Sequence, residues 1–337
     1  METDIPEEID LVYVTDRDPG ISRLRRGRGF CYRLPCGAYV NDERMKQRIA
    51  SLALPPAYRD VWICLDERGH LQATGLDDRG RKQYRYHPSW STFSNGIKFG
   101  QLVDFGRVLP KVRRRIRRHL TGPITDINTV LAGLVTVLDE GQIRVGNRFY
   151  AAENKTYGAT TLLKRHLQLH DDGIELRFTA KGGKRVRRTL HNPRLHRLLE
   201  AIADLPGREL FVWKDGDIVR PVDSGRLNSY LAESAGIGIS AKTFRTWAGS
   251  LAAFTEGIRA IERGDRATMR RMSEAAARVL HNTPAISRAS YVHPAILSLA
   301  DPATALPRAS FDVLHPTRGL RADENRMLAF LERTSPK

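Results

Sequence analysis

Near residue 97 the apolar pattern of this chain changes its period. Upstream, short apolar runs are broken by glycine and proline: "FCYRLP" (30–35), "AYVN" (38–41), "DVWICLD" (60–66) and "GHLQATGLD" (69–77). Runs of that length between turn residues read as strands. "NDERMKQRIASL" (41–52) reads instead as a helix with Asn41 at its N-cap. Downstream, apolar residues recur at helical spacing in 98–120 and 126–141. "GATTLLKRHLQL" (158–169) reads as a further helix, and helical segments follow over 192–204, 223–235, 241–260, 265–280, 284–298 and 322–333. Between them Ile174, Leu176 and Phe178 alternate before Lys181-Gly182-Gly183-Lys184, a β-hairpin signature. The fold class is therefore α+β, a small sheet-rich N-terminal domain followed by a larger, mostly helical one with an inserted hairpin. The expected divisions are a flexible acidic segment at 1–20, a β-rich domain at 21–90, a linker at 91–96 within the polar stretch 87–96, and a helical domain at 97–337. A chain of 337 residues has room for one large domain or two ordinary ones.

Charge narrows the partner. Against 38 acidic side chains stand 55 Lys and Arg, a formal net charge of +17. A protein this basic is suited to a polyanion, most often nucleic acid. The stretches Lys111–Arg118 and Ser22–Tyr32 concentrate that charge and read as solvated faces touching phosphates. Cys31, Cys36 and Cys64 are too few and too irregular for a disulfide framework, and the spacing of the first two lacks a second ligand pair for zinc. The acidic start "METDIPEEID" has no apolar signal core, and no run reaches the ~18 apolar residues of a membrane span. The expectation is a cytoplasmic protein without a membrane partner.

No P-loop motif, H-E-x-x-H pair or Cys/His cluster is present. What stands out is a set of basic residues at element boundaries: Arg144 before a Val-Gly-Asn turn, Lys181 at the hairpin tip, and Arg245 near a helix start. Downstream of them lies Tyr291, in "HNTPAISRASYVHP". Singly, a turn lysine is usually solvated, a helix arginine usually pairs with a carboxylate, and a tyrosine usually fills a core. Together they meet one chemical need. A tyrosyl oxygen attacking a phosphodiester builds negative charge on nonbridging oxygens, which two guanidinium forks can hold. The leaving 5′ oxygen needs a proton, which a lysine can deliver. One phosphodiester is exchanged for another of similar energy, so neither ATP nor a metal is required.

Four separated motifs occur in order: Arg144-Val-Gly-Asn-Arg-Phe-Tyr150, Phe178-Thr-Ala-Lys181-Gly-Gly-Lys184, Lys242-Thr-Phe-Arg245-Thr-Trp247 and Thr283-Pro-Ala-Ile-Ser-Arg-Ala-Ser-Tyr291. In these the chain resembles the type IB DNA topoisomerases, specifically the poxvirus-like branch that also occurs in bacteria, from about residue 20 to about residue 300. The resemblance implies the fold shared by tyrosine recombinases and these topoisomerases. It also implies ATP-independent relaxation of supercoiled duplex DNA through a 3′-phosphotyrosyl intermediate. It casts Tyr291 as nucleophile, Arg144 and Arg245 as transition-state ligands and Lys181 as general acid. Gln83, Tyr84 and Tyr86, within "GRKQYRY", become DNA contacts, with Tyr150 and Arg148. No cofactor is implied, and the partner is double-stranded DNA gripped by a monomer. Viral members carry histidine nine residues before the tyrosine. Here that position is Asn282, as in bacterial members, and its amide donates without charge. His281, about 100° away if the two share a helix, is expected to face elsewhere.

Two other readings compete. A tyrosine recombinase or integrase shares the Arg, Lys, Arg and Tyr set but usually carries His-x-x-Arg at the second arginine, where this chain has Lys242-x-x-Arg245. A non-catalytic DNA-binding module would use the same basic stretches and leave Tyr291 structural.

Overall fold

A computed structural model describes residues 9–78, 80–301, 311, 313 and 315–334. The opening of the segment expected to be flexible, residues 1–8, lies outside the described residues. The chain divides into two units, Met1–Ile97 and Lys98–Lys337.

The first unit is an antiparallel sheet. Its strands are β1 (Gly20–Arg26), β2 (Gly29–Arg33), β3 (Arg59–Cys64), β4 (Leu71–Leu76) and β5 (Lys82–Tyr86), in the order β2-β1-β3-β4-β5, with helix α1 (Glu43–Ser51) between β2 and β3. Ile21, Ile63 and Ala73 from the sheet pack with Ile49 of α1 and with Val40 and Val61 in a small core. The helix N-cap is Asp42 rather than Asn41: its carboxylate accepts from Arg44 N at 3.0 Å, and its charge suits the positive end of the helix. "AYVN" supplies only an isolated bridge between Tyr39 and Arg33. β1 and β5 were not legible as strands because charged side chains interrupt their alternation. β5 is an edge strand with mostly exposed residues, where charge guards against further pairing. The expected fraying does not extend through residue 20: Val12 bridges to Gly69, and Val14 N donates to His70 Nδ1 at 3.2 Å.

The stretch 91–96, read as a linker, is helical. It lies inside α2 (Pro88–His119). Pro88 stands at the first helical position, where its missing N–H costs nothing, so it starts the helix instead of breaking it.

In the second unit, α3 (Ile127–Gly141) is buried on nearly every side from Thr129 to Leu138. A helix apolar all round belongs in the middle of a core. There follow α4 (Arg148–Asn154), a three-stranded sheet of β6 (Leu167–His170), β7 (Gly173–Ala180) and β8 (Lys184–Leu190), α5 (Pro193–Ala203), and a small hairpin of β9 (Val212–Asp215) and β10 (Ile218–Pro221). Then come α6 (Ser224–Ala235), α7 (Ala241–Glu262), α8 (Met269–Leu280), α9 (Pro284–Tyr291), α10 (Pro294–Leu297) and α11 (Ala322–Thr334). α3 packs against α5, α6, α7, β8 and β9.

Two expected helices are broken. Residues 158–169 form two 3₁₀ turns and β6, because Ala159 N and Thr160 N donate to Arg144 O and Val145 O instead of entering a helical ladder. The helix expected over 284–298 stops at Tyr291. Pro294 lacks an N–H and biases His293 to its extended φ −61°, ψ 134°. The β9–β10 hairpin was not read from the sequence; its four-residue strands are too short to establish a period.

Candidate active site

Arg144 lies in the extended link between α3 and α4. Two glycines set that link in place. Gly146 adopts φ +98°, and a Cβ there would stand 3.1 Å from the Gly158 carbonyl carbon; a Cβ on Gly158 would stand 2.5 Å from Arg144 O. Their missing side chains let the 144–146 backbone lie against 158–160, with Ala159 N donating to Arg144 O at 2.8 Å and Thr160 N to Val145 O at 2.7 Å. The Arg144 guanidinium then reaches across the fold and donates from Nη2 to Asn282 Oδ1 at 2.5 Å.

Arg245, in the second turn of α7, is 4% exposed. Its Nη1 donates to Gln142 O and its Nη2 to Leu280 O at 2.9 Å, and its Cζ lies 5.3 Å from the centroid of the Tyr291 ring. Burial, then the nearby charge of Arg144, pull this guanidinium down to about 10, with Tyr291 acting in the opposite sense. The site is thus a cluster of desolvated positive charge, which an anion would relieve.

Tyr291 ends α9 and is half-buried. It approaches α7 closely: a Cβ on Gly249 would be 2.7 Å from Tyr291 O and 3.1 Å from Tyr291 Cβ. Ser250 Oγ donates to Tyr291 O at 3.3 Å and accepts from His293 N at 3.0 Å, so one buried hydroxyl spans the break between α9 and α10. Lys98 Nζ donates to Ser290 O at 2.9 Å; burial, then the charge of Lys242, pull this amine down to about 8.

Asn282 and His281 do not share a helix, so the separation of about 100° does not apply. His281 caps α8 in the left-handed conformation, φ 49°, and Asn282 lies in the link to α9. Burial, followed by the charges of Arg188, Arg245, Lys184 and Arg144, holds the His281 imidazole below the usual histidine range. Among the described residues, Asn282 Nδ2, Arg245 Nε and His281 Nε2 are buried nitrogens without a hydrogen-bond partner. Because Asn282 Oδ1 accepts from Arg144, its amide orientation is fixed and its Nδ2 is a donor awaiting an acceptor.

Arg144, Arg245, Asn282 and Tyr291 are brought together. Lys181 is not among them: it is exposed at the tip of the β7–β8 hairpin, before Gly182 and Gly183 at φ +82° and +75°. Sequence reasoning passed over Arg188 on β8, whose Nε donates to Gly141 O at 2.7 Å and whose Nη2 donates to Val279 O at 2.5 Å. It sits in "KRVRRTL", where four basic residues in seven conceal the one that turns inward.

The expected DNA contacts differ in their availability. Tyr84 and Tyr86 are 50% and 45% exposed, with rings stacked 6.1 Å apart. Gln83 Nε2 is engaged by Asp77 Oδ2 at 3.0 Å. Arg148 is exposed at the start of α4, and Tyr150 is half-buried with its N–H donating to Asn147 Oδ1 at 3.2 Å. Phe149 between them is 58% exposed.

The basic run Lys111–Arg118 is not uniformly a solvated face. Arg113 turns inward and pairs with Asp139 and Glu324 at 2.7 and 2.8 Å, while Lys111 and Arg115 donate to Ala235 O and Glu233 O near the end of α6. A single charged helix face in the sequence thus mixes solvated and structural cations.

Among the described residues, no group of three or more His, Cys, Asp or Glu side chains is placed to hold a metal ion, and no helix is long and apolar enough to cross a membrane. A tyrosine ring beside clustered guanidinium groups and unpaired donors has the chemistry to engage an anion such as a phosphodiester. Comparison with known proteins points to the same chemistry. Residues 29–77 match a family described as "Bacterial DNA topoisomerase IB, N-terminal domain", and residues 88–293 match "Eukaryotic DNA topoisomerase I, catalytic core". The chain is 30% identical to DNA topoisomerase 1B of Acanthamoeba polyphaga mimivirus over 289 residues, 81% of this chain and 85% of that protein. It is 26% identical over 157 residues, 46% of this chain and 49% of theirs, to DNA topoisomerase I of Monkeypox virus and DNA topoisomerase 1B of Vaccinia virus (strain Copenhagen). The chain belongs to the type IB DNA topoisomerases. Its activity is the relaxation of supercoiled DNA, and the recombinase reading is not favoured.

Proposed function

We propose that Tyr291 is the strand-transferring nucleophile and that Arg144, Arg245 and Asn282 bind the scissile phosphate. Tyr291 Oη attacks phosphorus and forms a 3′-phosphotyrosyl bond while the bond to the 5′ oxygen breaks. The phenolic proton passes to solvent, and Lys181 gives a proton to the departing 5′ oxygen. The 5′ hydroxyl, free to rotate about the intact strand, later attacks the phosphotyrosine and restores the original bond.

The observation that carries this reading is the meeting of Arg144, Arg245 and Asn282 beside Tyr291, with Arg245 Nε and Asn282 Nδ2 buried and lacking acceptors. Buried orphan donors cost about 1–3 kcal/mol each, a cost that nonbridging phosphate oxygens would remove. Both donors are shielded from solvent, so DNA must uncover them. Lys181 must also travel in on its hairpin, and a two-glycine tip permits that. The guanidinium groups supply the positive charge the transition state needs, and the near-equal energies of the exchanged bonds make ATP unnecessary.

The DNA partner is a duplex bound by a monomer, with Tyr84, Tyr86, Arg148 and Tyr150 as contacts and Gln83 joining after release from Asp77. Many phosphate contacts should make binding fall steeply with salt. The test is a denaturant-quenched reaction on nicked or supercoiled duplex, followed by peptide mapping of the covalent adduct. The modified residue is expected to be Tyr291, and Tyr291→Phe is expected to give no adduct while binding duplex with unchanged affinity. An adduct on another residue would move the nucleophile.

A further inference from the structure

Arg188 and Arg245 make the same kind of bridge. Arg245, from α7, donates to Gln142 O and Leu280 O; Arg188, from β8, donates to Gly141 O and Val279 O. The four acceptors are two adjacent pairs, one at the end of α3 and one at the end of α8. Carbonyls at helix ends have no partner within the helix, and here two guanidinium forks satisfy both ends at once. The chain leaves α3 into Arg144 three residues after Gly141, and leaves α8 into Asn282 three residues after Val279. The Arg144–Asn282 hydrogen bond of 2.5 Å is therefore made by two side chains whose backbones have just been cross-linked.

Resting on the site reading above, we propose that Arg188 is a positioning residue: it joins the ends of α3 and α8 so that Arg144 and Asn282 already share the scissile-phosphate site before DNA arrives. Arg245 alone does not serve this purpose. Its Nε is also the donor offered to the phosphate, so its guanidinium has a second partner to satisfy. Arg188 reaches the helix ends from a strand, β8. It holds the frame while Arg245 engages the phosphate. It also lies on the strand that returns from the Lys181 tip, so the base of that hairpin is registered against the same two helix ends. A lysine could not replace it, because a single ammonium lacks the planar fork that spans two carbonyls from two segments.

The experiment is single-turnover cleavage of a duplex under saturating enzyme, for wild type, R188M, R188K, N282A and the R188M/N282A double variant. Melting temperature is measured alongside, as is duplex affinity in a Tyr291→Phe background. R188M and R188K are both expected to cleave roughly 10- to 100-fold more slowly, with duplex affinity changed by less than about 3-fold, because the loss is one of geometry at the phosphate. In the N282A background R188M is expected to cost little more, less than about 3-fold, because the contact it positions is already gone. Should R188M fail to fold, R188K carries the same comparison with N282A. Wild-type cleavage by R188K would show that charge and not the bridge matters and would overturn the proposal. So would full additivity of R188M with an N282A that is itself slow. An N282A that cleaves at the wild-type rate sinks the Asn282 assignment, and this inference with it.

Discussion

At position 282 an uncharged carboxamide stands among cations. Its Oδ1 is held by Arg144 and its Nδ2 has no acceptor, so it is aimed as a donor without adding to the positive charge already gathered there. A hydrogen bond to a charged group is worth about 1.5–3 kcal/mol. Asn282→Ala is accordingly expected to slow cleavage by about 10- to 100-fold with duplex affinity preserved, read from quenched single-turnover time courses. His281, one residue earlier, holds a left-handed backbone that side chains other than glycine adopt at a cost. His281→Gly should fold at least as stably as wild type, measured by thermal melting. A substantial loss of cleavage in that variant would assign the buried Nε2 a role at the phosphate.

At the level of elements, the position of Tyr291 depends on how closely α9 lies against α7. Gly249 allows the approach, and Ser250 fastens both sides of the helix break that follows Tyr291. Gly249→Ala places a Cβ 2.7 Å from the Tyr291 backbone oxygen as well as 2.9 Å from Leu280 Cδ1; the carbonyl cannot yield as a side-chain tip can, so α9 must shift. Overpacking of this kind costs about 1–3 kcal/mol. The variant should melt earlier and form the Tyr291 adduct more slowly, while binding duplex normally. A second tie holds α2, α3 and α11 together. Arg113 is paired with Asp139 and Glu324, and Trp247 Nε1 also donates to Glu324 at 3.2 Å. Burial pushes the Glu324 carboxyl up, but the hydrogen bond and charge of Arg113, with the hydrogen bonds from Arg321 N and Trp247, together outweigh it and hold the group below its usual range. Arg113→Ala leaves two carboxylates facing each other in the interior and should cost about 3–5 kcal/mol in chemical denaturation.

For the whole molecule, stability should depend on pH in a way set by buried imidazoles. His166 packs on Tyr157 with ring centroids 4.4 Å apart, and His293 packs on Phe99 at 5.5 Å. Burial lowers both to about 4, from an ordinary value of 6.5. Since the unfolded chain takes up these protons first, the contribution is complete above pH 6.5 and is lost as pH falls toward 4. His293 Nδ1 accepts from Ala295 N at 3.1 Å as the cap of α10, a role asparagine can fill without titrating. His293→Asn should therefore show a shallower fall in melting temperature between pH 6.5 and 4 than wild type does. An unchanged slope would place the acid sensitivity elsewhere.

The residue order by itself determined the fold class and the hairpin at 181–184, and it singled out Arg144, Arg245, Asn282 and Tyr291, which the structure brings together. Each follows from something local: a period, a turn that needs glycine, or a motif whose residues stand side by side. It could not determine which cation in a basic run turns inward. Arg113 and Arg188 look like their neighbours in the sequence, and only the carboxylates and helix-end carbonyls brought to them from distant segments set them apart. Nor could it foresee that residues 158–160 would pair with 144–145, or that His281 and Asn282 would leave the helix. Those outcomes come from long-range packing, which decides where each backbone donor finds its acceptor. The same packing brings two arginines, an asparagine and a tyrosine from separate parts of the chain into one cluster.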